Sequence, residues 1–166
     1  MVALIAGRRE VVEPRRTADV GYVYLRATIT FEDTRAPVDE LRTVEVKAFV
    51  PAEDFTRSKQ FYQDLGFELL WSSDELAYLR NGVSSFLLQK FYNKEHADNF
   101  MMHLLVDNVE AWWSHVQARG LAAKYGVRAE PPADRPWGIR DFVIIDPTGV
   151  LWRIGQNIEP TGKIHD

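Results

Sequence analysis

From Thr43 onward, the apolar positions of this chain alternate between two rhythms, one of strands and one of helices. Val44 to Val50 alternates, with Val46, Ala48 and Val50 on one side and Glu45, Lys47 and Phe49 on the other, as strand geometry requires. Pro51 ends that run. Phe55, Ser58, Phe61, Tyr62 and Leu65 then recur at helical spacing, with Asp54 placed to cap the start and Gly66 the end. Residues 67–71, 77–80 and 83–91 predict three further strands, and Asn81-Gly82 predicts a two-residue hairpin between the last two.

After a polar break over 93–99 the same order returns. Residues 100–106 predict a strand with Met101, His103 and Leu105 on one face. Asn108 can cap a helix reaching Arg119, with Val109, Trp112, Trp113 and Val116 along its apolar side and Gly120 at its end. Residues 121–125, 141–145 and 150–156 predict three strands, and the stretch with Pro131, Pro132 and Pro136 predicts a loop. Asp146-Pro-Thr-Gly is turn chemistry joining the last two strands. Asp54 to Gly66 and Asn108 to Gly120 are separated by the same interval at both ends, which marks an internal duplication.

The expected fold is therefore α+β: two tandem βαβββ modules, 43–92 and 99–158, whose sheets form a cleft. Helices cover one face of each sheet, over Val46, Ala48, Val50, Met102, Leu104 and Val106. The other face carries Lys47, Phe49, Met101, His103 and Arg153. Residues 1–42 stand apart as an N-terminal extension with one added strand over 20–31 and a linker over 34–40; residues 159–166 form a tail.

Composition narrows the function. Hydrophobic residues are 46% and aromatics 12%, enough for an ordinary core, and a formal charge of −4 argues against nucleic acid as partner. The absence of cysteine removes thiolate metal sites and a cysteine nucleophile. Met1 to Gly7, followed at once by Arg8-Arg9, is too short for a signal-peptide core or a membrane span, so the expectation is a cytoplasmic protein without membrane attachment. No Ser-His-Asp set, phosphate loop or dinucleotide-binding glycine pattern occurs.

With these motifs in place, the chain resembles the vicinal oxygen chelate superfamily, which includes glyoxalase I, extradiol dioxygenases and bleomycin-resistance proteins. The resemblance rests on the paired modules, on Phe61-Tyr-Gln-Asp-Leu-Gly-Phe67, on Val106-Asp-Asn-Val109 and on Asp146-Pro-Thr-Gly-Val-Leu-Trp-Arg153. It implies a divalent metal on the concave face of the enzymes, held by a first-strand His and a last-strand Glu of a module. Carried over, those positions hold Lys47 and Gln89 in module one and Met101 and Arg153 in module two. Protonated Lys and Arg have no lone pair to donate, Met suits copper, and Gln is a weak neutral ligand. The resemblance therefore implies a member without the standard metal site and without a cofactor.

The ending Asp146 to Asn157, and Trp137-Gly138 ahead of it, resemble the bleomycin-resistance branch most. That branch implies a homodimer that sequesters a large cationic, flat aromatic drug in clefts between subunits, with no catalytic residue. Lys47, Phe49, Gln89, Met101, His103, Trp137 and Arg153 are then the expected ligand-binding set. The alternative is an enzyme of this fold, of lyase, isomerase or dioxygenase type, with a non-standard or absent metal site. Several residues keep two readings at this point. Trp137 is a lid over the core or a stacking platform, and His103 is a core histidine or a polar ligand contact. Lys47 and Arg153 must each meet an acid, water or an anionic ligand group, because an unpaired buried cation is costly.

Overall fold

The computed structural model describes residues 9–16, 22–29 and 41–158. The chain divides into two units, Met1–Val44 and Glu45–Asp166. Within the first, β1 (Arg9–Arg16) and β2 (Tyr22–Ile29) form an antiparallel pair running from Arg9↔Ile29 to Arg16↔Tyr22. The sequence predicted only the second of these strands. A strand needs a partner for its backbone N–H and C=O groups, and Arg9–Arg16 provides it despite lacking a visible period. The linker expected over 34–40 and the tail over 159–166 lie outside the described residues.

The second unit is the two-module α+β fold. Module one contains β3 (Phe49–Pro51), α1 (Phe55–Leu65), β4 (Glu68–Ser72), β5 (Leu76–Asn81) and β6 (Ser84–Gln89), in sheet order β3-β6-β5-β4. A short helix α2 (Lys94–Asn99), in the expected polar break, leads to module two. There β7 (Met101–Leu105), α3 (Val109–Ala118), α4 (Leu121–Tyr125), β8 (Ala129–Arg135), β9 (Ile139–Ile145) and β10 (Leu151–Asn157) form a sheet of order β7-β10-β9-β8. In each sheet the first strand runs parallel to the last, and the remaining pairs are antiparallel. The repeat extends to the caps: Asp54 accepts from the Arg57 amide at 2.9 Å and Asn108 from the Ala111 amide at 2.9 Å.

Four expectations are corrected. Residues 121–125 are helical, with Leu121 and Tyr125 buried one turn apart. Lys124 and the Tyr125 hydroxyl bind the Asp64 carboxylate on α1, which ties the short helix down. Module two takes its missing strand from 129–135, where Pro131 and Pro132 sit in the edge strand, at a register shift between Glu130 and Ala133, and only Pro136 falls in the turn beyond. The first strand forms only over Phe49–Pro51, so Val46 lies exposed instead of under a helix. The hairpin loop falls one residue later than expected, since Asn81 still pairs with Ser84 and Gly82 takes positive φ.

Both sheets turn one face to a single core. Phe86 of β6 and Trp152 of β10 meet with ring centroids 5.3 Å apart, and Tyr62 of α1 packs on both at 4.8 and 5.6 Å. The Tyr62 hydroxyl donates to Asp146 at 2.6 Å and accepts from the Trp152 indole at 3.0 Å. Asp146 also accepts the amides of Thr148, Gly149 and Val150, which shapes the turn before β10. Burial pushes its carboxyl up, against the pull of those donors. Because Val50, Leu88, Ala77, Leu104, Trp152, Ile154 and Ile144 all point into this core, the alternate residues of each sheet point away from it.

Candidate functional site: two outward sheet faces

The outward face of module one is a row of rings and apolar side chains. Register places Phe49, Leu87, Tyr78 and Trp71 side by side across the four strands. Phe49 is 49% and Trp71 52% exposed. Charge lies around the row. Lys47 pairs with Glu45, which also accepts from Ser85, and its ammonium sits 4.9 Å from the Tyr78 ring centroid. Arg80 faces Glu68.

The outward face of module two is charged at its centre. Arg153 of β10 donates through Nε and Nη2 to the two oxygens of Asp141 at 2.8 and 3.0 Å. Arg135 of β8 donates through Nε to the same carboxylate at 2.7 Å. Burial pushes the Asp141 carboxyl up, and the Arg153 and Arg135 guanidiniums outweigh it, holding it below the usual carboxylate range. The Arg153 guanidinium also lies 5.5 Å from the Trp137 ring centroid, within cation–π range, and Trp137 stays largely exposed in the β8–β9 turn. His103 is directly beside Arg153 in register, and Met101 is beside Leu151. Gly155 permits this arrangement, since a Cβ there would stand 2.8 Å from Ile139 Cγ2 and 2.9 Å from Asp141 Cβ.

The seven residues singled out in the sequence thus fall into two groups. Met101, His103, Trp137 and Arg153 share the module-two face. Lys47, Phe49 and Gln89 belong to module one, where Gln89 pairs beside Pro51, four positions along from Lys47. Lys47 and Arg153 both have acids, Glu45 and Asp141, which answers the question of their charge. Trp137 is no lid over the core, and His103 is exposed. Two contributors, Asp141 and Arg135, were not singled out in the sequence, whereas Trp71 and Tyr78 lie in strands that it predicted. Asp141 was within reach. With Asp146–Val150 as the turn, Leu151 pairs with Ile145 and Asp141 falls on the face of Arg153.

The family's metal positions do not fit a divalent cation. Arg153 and Lys47 are cations engaged with carboxylates, while Met101 and Gln89 belong to different sheets. No group of three His, Cys, Asp or Glu among the described residues could hold one. A groove of about 350 Å³ lies elsewhere, between Ser84–Phe86 of β6 and Met102–Leu105 of β7. It touches His103 but neither Arg153 nor Trp137.

Two βαβββ modules around one core, each with an outward sheet face, define the class of fold. The family model described as Glyoxalase/Bleomycin resistance protein/Dioxygenase superfamily matches residues 44–154, and the chain belongs to that superfamily. Solved structures share the fold. A bleomycin-binding protein complexed with bleomycin is 24% identical, with TM-score 0.61, covering 69% of this chain and 99% of its own. The bleomycin-binding protein from bleomycin-producing Streptomyces verticillus, complexed with copper(II)-bleomycin, is 21% identical, with TM-score 0.57, covering 71% and 99%. A lactoylglutathione lyase from Agrobacterium tumefaciens is 17% identical, with TM-score 0.52, covering 69% and 94%. No curated protein matches the chain.

Proposed function

We propose that this protein binds and sequesters a small aromatic molecule, without catalysis, in clefts formed when two copies pair. The observation that carries the reading is the pair of outward faces. Each presents large exposed apolar side chains, Phe49 and Trp71 on one and Met101, Leu105 and Trp137 on the other. Large apolar side chains left exposed together on a sheet face support an interaction site there. Since both faces point away from the shared core, neither encloses a ligand alone; a second copy would supply the opposing wall. The bleomycin-binding relatives support a binding role, and an antibiotic is the ligand class they suggest. The unsuitable donor set at the metal positions supports binding over chemistry.

Analytical ultracentrifugation combined with thermal-shift measurement against a panel of flat aromatic antibiotics tests this reading. The expected result is a dimer whose Tm rises with at least one aromatic compound. A monomer at tens of micromolar, or turnover that requires a stoichiometric divalent metal, would overturn it. A second reading, an enzyme with relocated chemistry, draws on exposed His103 beside Arg153. His103→Ala separates the two: a binder loses part of its affinity, an enzyme its turnover.

A further inference from the structure

The charge on the two faces is specific enough to name the ligand's sign. Each carboxylate that a strand carries on an outward face already has a cation: Asp141 has Arg153 and Arg135, Glu130 has Arg128, and Glu68 has Arg80. Glu45, just before β3, has Lys47. A cationic ligand would find no carboxylate without a partner on these strands, and would have to displace an arginine or remain unpaired. Either course is costly in a partly desolvated cleft.

The balance on the module-two face leaves positive charge over. Arg128, Arg135 and Arg153 stand against Glu130 and Asp141, three cations to two anions. Asp141 takes Nε and Nη2 of Arg153 and Nε of Arg135. Nη1 of Arg153 and both terminal nitrogens of Arg135 have no partner among the described residues. The buried carboxylate thus acts as a fixed anchor. It holds two planar guanidinium forks in place at a net charge of plus one, and such forks match a carboxylate's geometry. Trp137 beside Arg153, with Met101 close in register, adds a surface for a flat ring.

We infer that the module-two face takes a flat aromatic anion, an aromatic carboxylate, with the carboxylate on the free Arg153 and Arg135 donors and the ring against Trp137. This rests on the binding reading above and specifies its ligand. The test is isothermal titration calorimetry of the intact protein with three probes of one shape: naphthoate, naphthamide and naphthylmethylammonium.

Naphthoate is expected to bind at least about tenfold more tightly than the ammonium at low salt, with the gap narrowing as salt rises. Asp141→Asn adds one net positive charge, so it is expected to strengthen naphthoate about threefold and weaken the ammonium. A merely structural role for Asp141 would weaken both. Arg135→Gln, at a more exposed position, tests the opposite sign and is expected to shrink the naphthoate preference should Asp141→Asn fail to fold. Trp137→Ala is expected to weaken all three probes alike. Equal or tighter binding of the ammonium overturns this inference and leaves the binding reading intact. If none of the three binds, this inference falls, and the antibiotic panel above decides the binding reading by itself.

Discussion

The two sheets of the second unit are built alike on the inside and differently on the outside. On the core side, Phe86 in module one and Trp152 in module two meet over Tyr62, with aliphatic side chains from both sheets around them. On the outer side, module one has rings at the centre and ion pairs around them, whereas module two has an ion cluster at the centre with Trp137, Met101 and Leu105 around it. Equivalent strands therefore serve two purposes. The inner residues are constrained by one shared volume, in which a change on either sheet is felt by both. The outer residues are free of that volume and can differ in chemistry without altering the fold.

Four measurements press on this contrast, from the largest effect to the smallest. Trp152→Ala and Phe86→Ala should each cost about 3–5 kcal/mol in urea denaturation, the same range in both modules, because each leaves a cavity in the common core. Markedly unequal losses would mean that the cores are separate. Asp141→Asn should cost about 1.5–3 kcal/mol at neutral pH, as charge-assisted hydrogen bonds do. The Asp141 pKa is depressed in the folded protein, so its contribution is fully present above the unfolded value of about 4 and is lost as pH falls through the folded one. The stability gap between wild type and variant should accordingly be flat from neutral pH to about 4 and close below it. A gap that closed on going to alkaline pH would contradict the assignment.

Gly155→Ala should cost about 1–3 kcal/mol, because the added methyl overlaps Ile139 and the Asp141 Cβ and pushes the anchor off its arginines. Chemical denaturation measures the loss. Trp71→Ala, on the outer face of module one, should change the stability of dilute protein by no more than about 0.5 kcal/mol. If it costs as much as Trp152→Ala, the outward assignment of that face is wrong.

Local chemistry made most of the fold legible. Asp54 and Asn108 cap helices because their side chains reach the backbone three residues on, and Gly66 ends α1 at φ 116, which only glycine takes easily. What failed had its cause at longer range. Leu121-Ala-Ala-Lys-Tyr125 has an apolar pair at helical spacing, yet the repeat pattern called for a strand there; the ties to Asp64 come from α1, far along the chain. Pro131 and Pro132 read as a loop because a proline cannot donate to a ladder, a cost that an edge strand with a register shift avoids. Val46 alternates correctly but leaves the sheet before its register matters. On the site, Arg153, His103 and Met101 were visible through face alternation, and Trp137 through the family resemblance. Arg135 was not, because its position depends on that same irregular edge strand.

The Tyr62 hydroxyl has a consequence for how the molecule comes apart. It lies on the helix of module one, yet both its partners, Asp146 and Trp152, belong to the closing turn and strand of module two. Neither module can open without stranding a buried donor or acceptor in the other. The second unit should therefore melt in a single transition, and a chain cut at the polar break should yield two insoluble halves. An ancestral duplication has become indivisible.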